Sequence, residues 1–572
     1  MPGTGEAKRL YGWGTLGVAV ATLVACGATR LDSKGDGQEP GNSGGGTSFG
    51  GSGITDGATA GSGPIGGSAP QSGINLAGDP KYFRFVRLTN AQWAASVQEV
   101  LKLPKPSGLE QAFISPVFGV TDFSNNESLL DVNARTWSDF QDAAEALAAQ
   151  VTASDEALAA VYPGTDSAGF ITTVGRRAYR RPLTNSEVSK CATLFKAGAA
   201  TEGDRSAFAK GAELVIRALL QSPHFLYRTE LGPTGKPLSG YEAAAKLSLW
   251  LRGSTPDEAL LDEADALADP DKLVDEASRM LQEAPATSVM RQFHGELLHL
   301  DRIRDLSKVN TPGYDPSLNP ELEESSYLFF DKIFSEGLGV RDILTSTRGF
   351  MGKGMAPLYG LDPQGSGFVE QELGPLRVGF FSQLPYLVLN AHNQDPDAIH
   401  RGLGLALDVL CSPLGPPAAE IPPVPEIQRW QTSRQRMDAM TQKCGNACHN
   451  EIINPLGFAF EHFDGMGQYR DTEVSLGDRL AIDSSGSYTF VDGRVDFADN
   501  VELMAAMASR PNAHLCYAKK LASFGLQRDI VEADLPWLTD LANLSLDSGS
   551  SQQLILQLVK SDAFRTYEGG TP

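Results

Sequence analysis

Residues 239–258 read SGYEAAAKLSLWLRGSTPDE, and this stretch contains two helix starts. Ser239 is followed three residues later by Glu242, which is the spacing of a capping box. In that motif the hydroxyl accepts a bond from a free backbone N–H, and the acidic side chain returns one to the cap. Pro256 favours the first position of the second helix. The capping boxes predicted in the chain are Thr184–Glu187, Ser239–Glu242 and Thr255–Glu258.

Apolar residues recur every three to four positions through the chain from residue 79 onward, which predicts amphipathic helices. Two apolar stripes are Trp93, Val97, Val100, Leu101 and Trp137, Phe140, Ala144, Leu147, Val151. Further helices are predicted at 208–221, 241–252, 271–283, 320–336, 398–411 and 497–509. Strand-like alternation is sparse and is clearest in Gly486–Val495, which predicts a hairpin. The fold class is therefore mainly α, a multi-module helical body with a small late β element.

The composition limits the class of protein. The chain has 572 residues, of which 41% are hydrophobic, so it can bury a core and form roughly two to four domains. Acidic residues outnumber basic ones by 70 to 48, and a net charge of −22 disfavours nucleic acid as a partner. Six cysteines are too few for a disulfide scaffold. Beyond residue 30 no apolar run reaches the roughly 18 residues of a membrane helix.

The N-terminus has the layout of an export signal. Lys8 and Arg9 precede an uncharged, mostly apolar run, so residues 1–25 are predicted to be a signal peptide. The run ends in Leu-Val-Ala-Cys, which resembles a bacterial lipobox and implies cleavage before Cys26 and lipidation of its sulfur. The alternative is an ordinary signal with a chance cysteine. Gly27 favours the outer membrane, and the Gly- and Ser-rich segment 26–78 is predicted to be a disordered, flexible tether.

One short motif contains side chains that can bind a cofactor or a metal: residues 444–449 read CGNACH. The c-type haem signature is Cys-x-x-Cys-His, where both thiols add to the haem and the histidine binds its iron. Here the loop has one extra residue, so Cys444, Cys448 and His449 predict haem attachment with an altered spacing. Two alternatives remain open at this point, which are a Cys444–Cys448 disulfide and another metal site.

The run after this motif supplies further candidates. Glu461 and Asp464 lie three residues apart and are expected to face one way on a short helical turn, with Arg470 able to pair with either. This polar cluster is either functional or a structural ion pair. A sixth iron ligand would come from elsewhere, or the sixth position would be open. The candidates are Met466, His462 and His400, with His392 and His514 farther away.

Several segments of the chain resemble sequences of a known protein family. They are FRFVRLTN at 83–90, GRRAYRRPLT at 175–184, QSPHFLYR at 221–228, LSLWL at 247–251, HRG at 400–402, CYAKK at 516–520 and GLQR at 525–528. Together with the Cys–His loop and PLGFA at 455–459 they resemble a family of secreted, cytochrome-c-like proteins of planctomycete type. That family has five tandem domains of unknown function, numbered fifteen-eighty-seven, fifteen-ninety-five, fifteen-ninety-two, fifteen-eighty-eight and fifteen-eighty-five. The resemblance implies an exported cytochrome-like protein whose fourth module carries the Cys–His loop.

The modules also suggest a pairing for two other cysteines. Cys411 follows an apolar helix in the fourth module and Cys516 begins one in the fifth, so a disulfide between them is predicted if these modules share a core. Cys191 would then stay buried and reduced. The predicted division is 1–25 signal peptide, 26–78 lipidated cysteine and linker, 79–165 first module, 166–232 second, 233–362 third, 363–475 Cys-x-x-x-Cys-His module and 476–572 C-terminal module.

Two functions from different classes follow. The first is electron transfer by a cell-envelope lipoprotein with one haem c and a redox or cell-surface protein partner, anchored to the membrane by lipid. The second is a non-redox scaffold or glycan-binding lipoprotein in which Cys444–Cys448 is a structural disulfide. Hydrolysis by Glu461 and Asp464 ranks last, because residues on one turn rarely oppose each other across a substrate.

Overall fold

Helices make up most of the structure, a computed structural model that describes residues 73–78, 81–116, 121–393, 395–414, 429–441 and 446–567. The first seven α-helices are α1 Asn90–Leu101, α2 Ala134–Val151, α3 Asp155–Val161, α4 Ser167–Tyr179, α5 Asn185–Ala199, α6 Ala207–Leu220 and α7 Pro223–Leu226. The next seven are α8 Gly240–Leu251, α9 Glu258–Asp262, α10 Pro270–Met280, α11 Ala284–Leu297, α12 Asn319–Ser335, α13 Val340–Thr345 and α14 Leu384–Leu389. The last eight are α15 Ala398–Gly404, α16 Ser433–Thr441, α17 Asn454–Phe458, α18 Asn500–Ala508, α19 Pro511–Leu526, α20 Leu535–Leu546, α21 Ser551–Lys560 and α22 Asp562–Arg565. The mainly α prediction is confirmed.

Two of the three predicted capping boxes are present. Thr184 caps α5 and Ser239 caps α8, each with its glutamate returning the bond. The box predicted at Thr255 is wrong, because α9 begins later and Asp257 caps it by accepting from the backbone N–H of Leu260. Glu258 instead accepts a bond from the Arg177 guanidinium at 2.6 Å.

The β-structure consists of four antiparallel pairs among the described residues. The strands are β1 Phe85–Arg87, β2 Tyr227–Thr229, β3 Arg348–Met351, β4 Val369–Glu372, β5 Thr472–Ser475, β6 Asp478–Ala481, β7 Gly486–Phe490 and β8 Gly493–Phe497. The predicted late hairpin is β7–β8. The small late β element is therefore present, and the pairs β1–β2 and β3–β4 earlier in the chain were not predicted. Strands of three or four residues are too short to show a clear alternation of polar and apolar residues.

Two large apolar cores hold the helices together. The first lies among α1 to α7, so the predicted first and second modules share it. The second lies among most helices from α8 to α22, so the third, fourth and fifth modules share one core. A small third cluster joins Ala398, Met437 and Phe458 where α15, α16 and α17 meet. This last junction positions the cysteine–histidine motif.

The predicted linker extends too far along the chain. Ile74 and Leu76 are buried in the second core, and the backbone N–H of Asn75 donates to the carbonyl of Cys411 at 2.7 Å. Two apolar side chains in an otherwise Gly- and Ser-rich stretch are enough to bind its end to the body. The body therefore begins by residue 73 and not at 79. The signal peptide 1–25, Cys26 and the rest of the linker lie outside the described residues.

In the part of the chain that the structure describes, no helix is long and apolar enough to cross a bilayer.

Candidate functional site

The cysteine–histidine motif leads into a close helix crossing. A π-helix, Asn446–Ile453, continues directly into α17, and both pack against α15. A methyl group on Gly402 would overlap the carbonyl oxygen of Ile453, and one on Gly457 would overlap the carbonyl oxygen of Ala398. Only glycine therefore allows the two backbones to approach this closely. The glycines of HRG and PLGFA form the two sides of one contact.

Arg401 fixes the chain that follows this crossing. Its side chain is 1% exposed, and its guanidinium donates to the carbonyl oxygens of Phe460, Phe463, Leu387 and Asp464 at 2.8–3.2 Å. Removal from water lowers its pKa to about 10, which leaves the group charged at neutral pH. A charged fork that satisfies four carbonyls holds the 460–464 turn against α14 and α15.

Cys448 and His449 lie on the π-helix and are both half-buried. Cys448 is a free thiol in the structure. Its predicted partner Cys444 lies outside the described residues. Nδ1 of His449 lies 3.3 Å from Oδ1 of Asn454, and Nε2 has no hydrogen-bond partner among the described residues. One thiol and one imidazole nitrogen are thus available at this site, which is what attachment of a c-type haem requires of these two residues.

A groove of about 760 Å³ lies beside the motif. The π-helix and α17 form one wall with Asn450, Asn454 and Phe458, while Arg434 and Asp438 of α16 contribute to another. The remaining lining residues are Pro455, Ser485, Gly486, Ser487, Arg494, Asp496, Phe497, Ala498 and Glu502. The volume falls within the roughly 300–1,000 Å³ of ligand pockets, and the groove adjoins the motif through Asn450, although neither Cys448 nor His449 is among its lining residues.

The predicted polar cluster is divided by the structure. Arg470 lies 3.8 Å from Glu461 and 3.7 Å from Glu473, whereas Asp464 accepts the backbone N–H groups of Met466 and Gln468. The expectation that Glu461 and Asp464 share a helical face is wrong, because α17 ends at Phe458 and a turn follows. Burial raises the pKa of Glu461 to about 7 even with Arg470 nearby. The two carboxylates therefore do not act as a pair.

The candidates for a sixth iron ligand all have defined surroundings. His400 Nδ1 lies 2.5 Å from a carboxylate oxygen of Asp397, and His392 Nε2 lies 3.1 Å from the same oxygen. His462 donates from Nδ1 to the carbonyl of Arg470, and Met466 is buried in the second core. The farther candidate, His514, is buried against Ser545 and the carbonyl of Ala508. The sixth ligand stays a prediction.

The expected disulfide between Cys411 and Cys516 is present. The Cα atoms of the two residues are 5.3 Å apart, and both side chains are buried in the second core. The bond joins the segment after α15 to α19, so it connects the fourth and fifth modules. Cys191 is buried in the first core, as predicted, with 1% of its surface exposed.

Two residues of the site were missed by sequence reasoning. Asn454 directly precedes the PLGFA segment and was given no role, although it contacts His449. Arg401 was noted only as part of a familiar tripeptide. Its single positive charge inside an apolar helical segment was the available signal, because a buried arginine must find acceptors. Among the described residues, no group of three or more His, Cys, Asp and Glu side chains has the arrangement of a metal site.

Four family models match the chain in tandem order. Each is described as a protein of unknown function, and they are DUF1595 at residues 167–230, DUF1592 at 238–361, DUF1588 at 377–473 and DUF1585 at 493–564. The chain belongs to the planctomycete-type cytochrome-c-like family of tandem domains of unknown function. The DUF1588 match of this family spans the Cys–His motif, the helix crossing and the Arg470 cluster. A fifteen-eighty-seven module at 79–165 stays a prediction. No curated protein and no solved structure matches the chain.

Proposed function

We propose that this protein is a cell-envelope lipoprotein, anchored through Cys26, that transfers electrons through one c-type haem held by Cys444, Cys448 and His449. The observation that carries the proposal is the state of the motif in the folded chain. Among the described residues Cys448 is a half-buried thiol without a disulfide partner, and the next residue presents an imidazole whose Nδ1 is bonded and whose Nε2 has no partner there. A histidine that binds iron uses this arrangement, because the second ring nitrogen donates to a protein acceptor.

Covalent attachment requires both cysteines as thiols. Each S–H adds across one vinyl double bond, with sulfur bonding to one carbon and hydrogen to the other, so no oxidant is consumed. A disulfide between Cys444 and Cys448 would need the loss of the same two hydrogens. The two uses of these sulfurs exclude each other, which makes the competing scaffold function testable by mass.

The chain's own residues would supply the rigid frame of the site. Haem supplies a reversible one-electron couple when it is bound. The close approach of Gly402 to the Ile453 carbonyl packs the motif helix, the π-helix Asn446–Ile453, against α15, and Arg401 fixes the 460–464 turn that follows α17. Phe458 at the junction of α15, α16 and α17 contributes apolar surface beside the groove. A site on packed helices changes little in geometry between oxidation states.

The decisive experiment is the absorbance of denatured protein. The exported chain is produced with a haem-attachment system, purified, unfolded in acid and guanidinium, and measured in the Soret region and by intact mass. Covalent haem gives a coloured denatured chain with the added mass of one haem. A colourless chain four hydrogens lighter than the fully reduced peptide, two for Cys411–Cys516 and two for Cys444–Cys448, establishes the second disulfide instead. The electron-transfer proposal then fails.

The lipid anchor is tested on its own. Native protein is expected to lose residues 1–25 and to enter the detergent phase, whereas a Cys26→Ser variant is expected to stay in the aqueous phase. Two or more acyl chains give stable membrane binding, so the difference should be large. Equal partitioning of both forms would exclude lipidation and leave the haem proposal standing.

A further inference from the structure

We infer that Asn454 is the positioning residue for His449, where its side-chain oxygen accepts the Nδ1 proton and keeps the Nε2 lone pair directed away from the helix. The functional consequence of this hydrogen bond rests on the proposed function, because the Nε2 lone pair is what would bind the haem iron. The hydrogen bond itself is a property of the folded chain and can be tested without haem.

The helix type brings the two residues together. His449 and Asn454 are five positions apart, and the segment Asn446–Ile453 between them is a π-helix. Hydrogen bonds in a π-helix join residues i and i+5, whereas those in an α-helix join i and i+4. Residues five apart therefore lie one above the other, and Oδ1 of Asn454 comes within 3.3 Å of Nδ1 of His449. π-Helical turns occur frequently at functional sites.

The neighbours of Asn454 decide which way its amide points. Nδ2 donates to Oγ1 of Thr441 at 2.8 Å and lies 3.4 Å from Oδ1 of Asp438. The Thr441 hydroxyl can donate its proton to the carbonyl of Met437, 2.9 Å away, and then accepts from Asn454, while the ionised carboxylate of Asp438 can only accept. The reverse amide orientation would place two acceptors against each other at a site where Asn454 is 2% exposed.

The orientation of the amide then fixes the tautomer of the imidazole. An amide oxygen only accepts, so Nδ1 of His449 must carry the proton and donate. The neutral ring then has its lone pair on Nε2, the atom with no partner among the described residues. In metal sites this kind of partner fixes the ring and raises the basicity of the ligand nitrogen. Helix α16 thus acts on His449 through Asn454, although Thr441 and Asp438 do not contact the ring in any observed hydrogen bond.

The first test measures the reduction potential of the haem-loaded protein. Asn454→Leu removes the acceptor at similar volume, which should weaken the imidazole as a donor and raise the potential. The swap variant Asn454→Asp/Asp438→Asn puts a carboxylate under Nδ1 with no change in total charge, and it should lower the potential. Each shift should change the ratio of oxidised to reduced protein at least tenfold, or about 59 mV for one electron. Shifts of the reduction potential with the same sign in both variants, or no shift in either, would overturn the inference. A purely structural role for Asn454 does not predict shifts of opposite sign.

The second test needs no haem. In the Cys444→Ser/Cys448→Ser chain, long-range ¹H–¹⁵N correlation of the neutral His449 ring should place the proton on Nδ1, and Asn454→Leu should move it largely to Nε2. A proton on Nε2 in the parent chain would overturn the inference directly. If the protein never acquires covalent haem, the proposed function fails, but this measurement still decides whether Asn454 positions the ring.

A third pair of variants covers the case in which Asn454→Leu does not fold. Thr441→Val removes the acceptor that orients the amide while keeping the shape of the side chain, and Thr441→Ser retains the hydroxyl. The valine variant should weaken the Nδ1–H tautomer, and the serine variant should match the parent. Identical spectra for both variants would show that the Thr441 hydroxyl does not orient Asn454 and would contradict that step of the inference.

Discussion

The fourth module has a locked side and an open side, and both are built around cysteines. On the locked side the Cys411–Cys516 disulfide lies in the second core, and Arg401 and Glu461 are also buried. On the open side Cys448 is half-buried, and within the described part of the chain it has no disulfide partner and Nε2 of His449 has no hydrogen-bond partner. The same residue type therefore serves stability where it is sealed in the core and is available for chemistry where it borders solvent.

The largest expected effect is on the open side. The Cys444→Ser/Cys448→Ser variant should lose covalent haem completely, because neither thiol of the motif remains to bond a vinyl group. Its unfolding free energy in the haem-free state should stay within about 0.5 kcal/mol of the haem-free parent, as for changes away from a packed core. Colour of the denatured chain and urea unfolding measure the two quantities. Colour that survives in this variant would place attachment outside the motif.

The next effect lies on the locked side. Cys411→Ala/Cys516→Ala opens a loop between residues 105 apart in sequence. The chain-entropy model then predicts a loss of about 4–5 kcal/mol in unfolding free energy. Urea unfolding at neutral pH provides the measurement, with the serine pair above as the matched control. The alanine pair should keep its covalent haem, and loss of colour would mean that the two sides are not independent.

Glu461 gives the locked side a pH dependence. Its pKa is raised to about 7, so between about pH 4.5 and 7 the native state binds more protons than the unfolded state. Stability therefore falls as pH rises through this window, by up to about 3 kcal/mol if the shift is fully expressed. Relative to Glu461→Gln, the wild type should lose this amount between pH 4 and pH 8 in urea unfolding. Glu451→Gln, at an exposed position of the motif helix, should leave the pH profile unchanged.

The smallest effect tests the contact that joins the two sides. Gly402→Ala places a methyl group against the carbonyl of Ile453, and Gly457→Ala does the same at Ala398. Each should lower the unfolding free energy by about 1–3 kcal/mol through overpacking. Gly367→Ala has open space around the added carbon and should change stability by less than about 0.5 kcal/mol. Equal losses of unfolding free energy at all three positions would mean that α15 can move away from the π-helix and α17 without an additional loss of stability.

Sequence reasoning was most reliable where the signal is local. The boxes at Thr184 and Ser239 mark helix starts because a cap and its glutamate interact within one turn. The Thr255 box was wrong because Asp257, also a good cap, lies two residues later and begins the helix there. The four short strand pairs were mostly missed, since β1 pairs with a segment about 140 positions away and neither strand has a periodic pattern.

The sequence alone determined the helical class, the order of the family modules and the three-residue motif, because periodicity, capping and ligand spacing are properties of neighbouring residues. Only the tertiary structure decided that the described body has two large cores, that Arg401 holds the 460–464 turn, and that Asp464 accepts backbone N–H groups of its own turn. It also placed Asn454 under His449, with Thr441 and Asp438 orienting the amide. These relations arise where burial and the π-helix keep water away from the polar groups. A buried donor or acceptor without a protein partner costs free energy, so the partners within reach determine the arrangement.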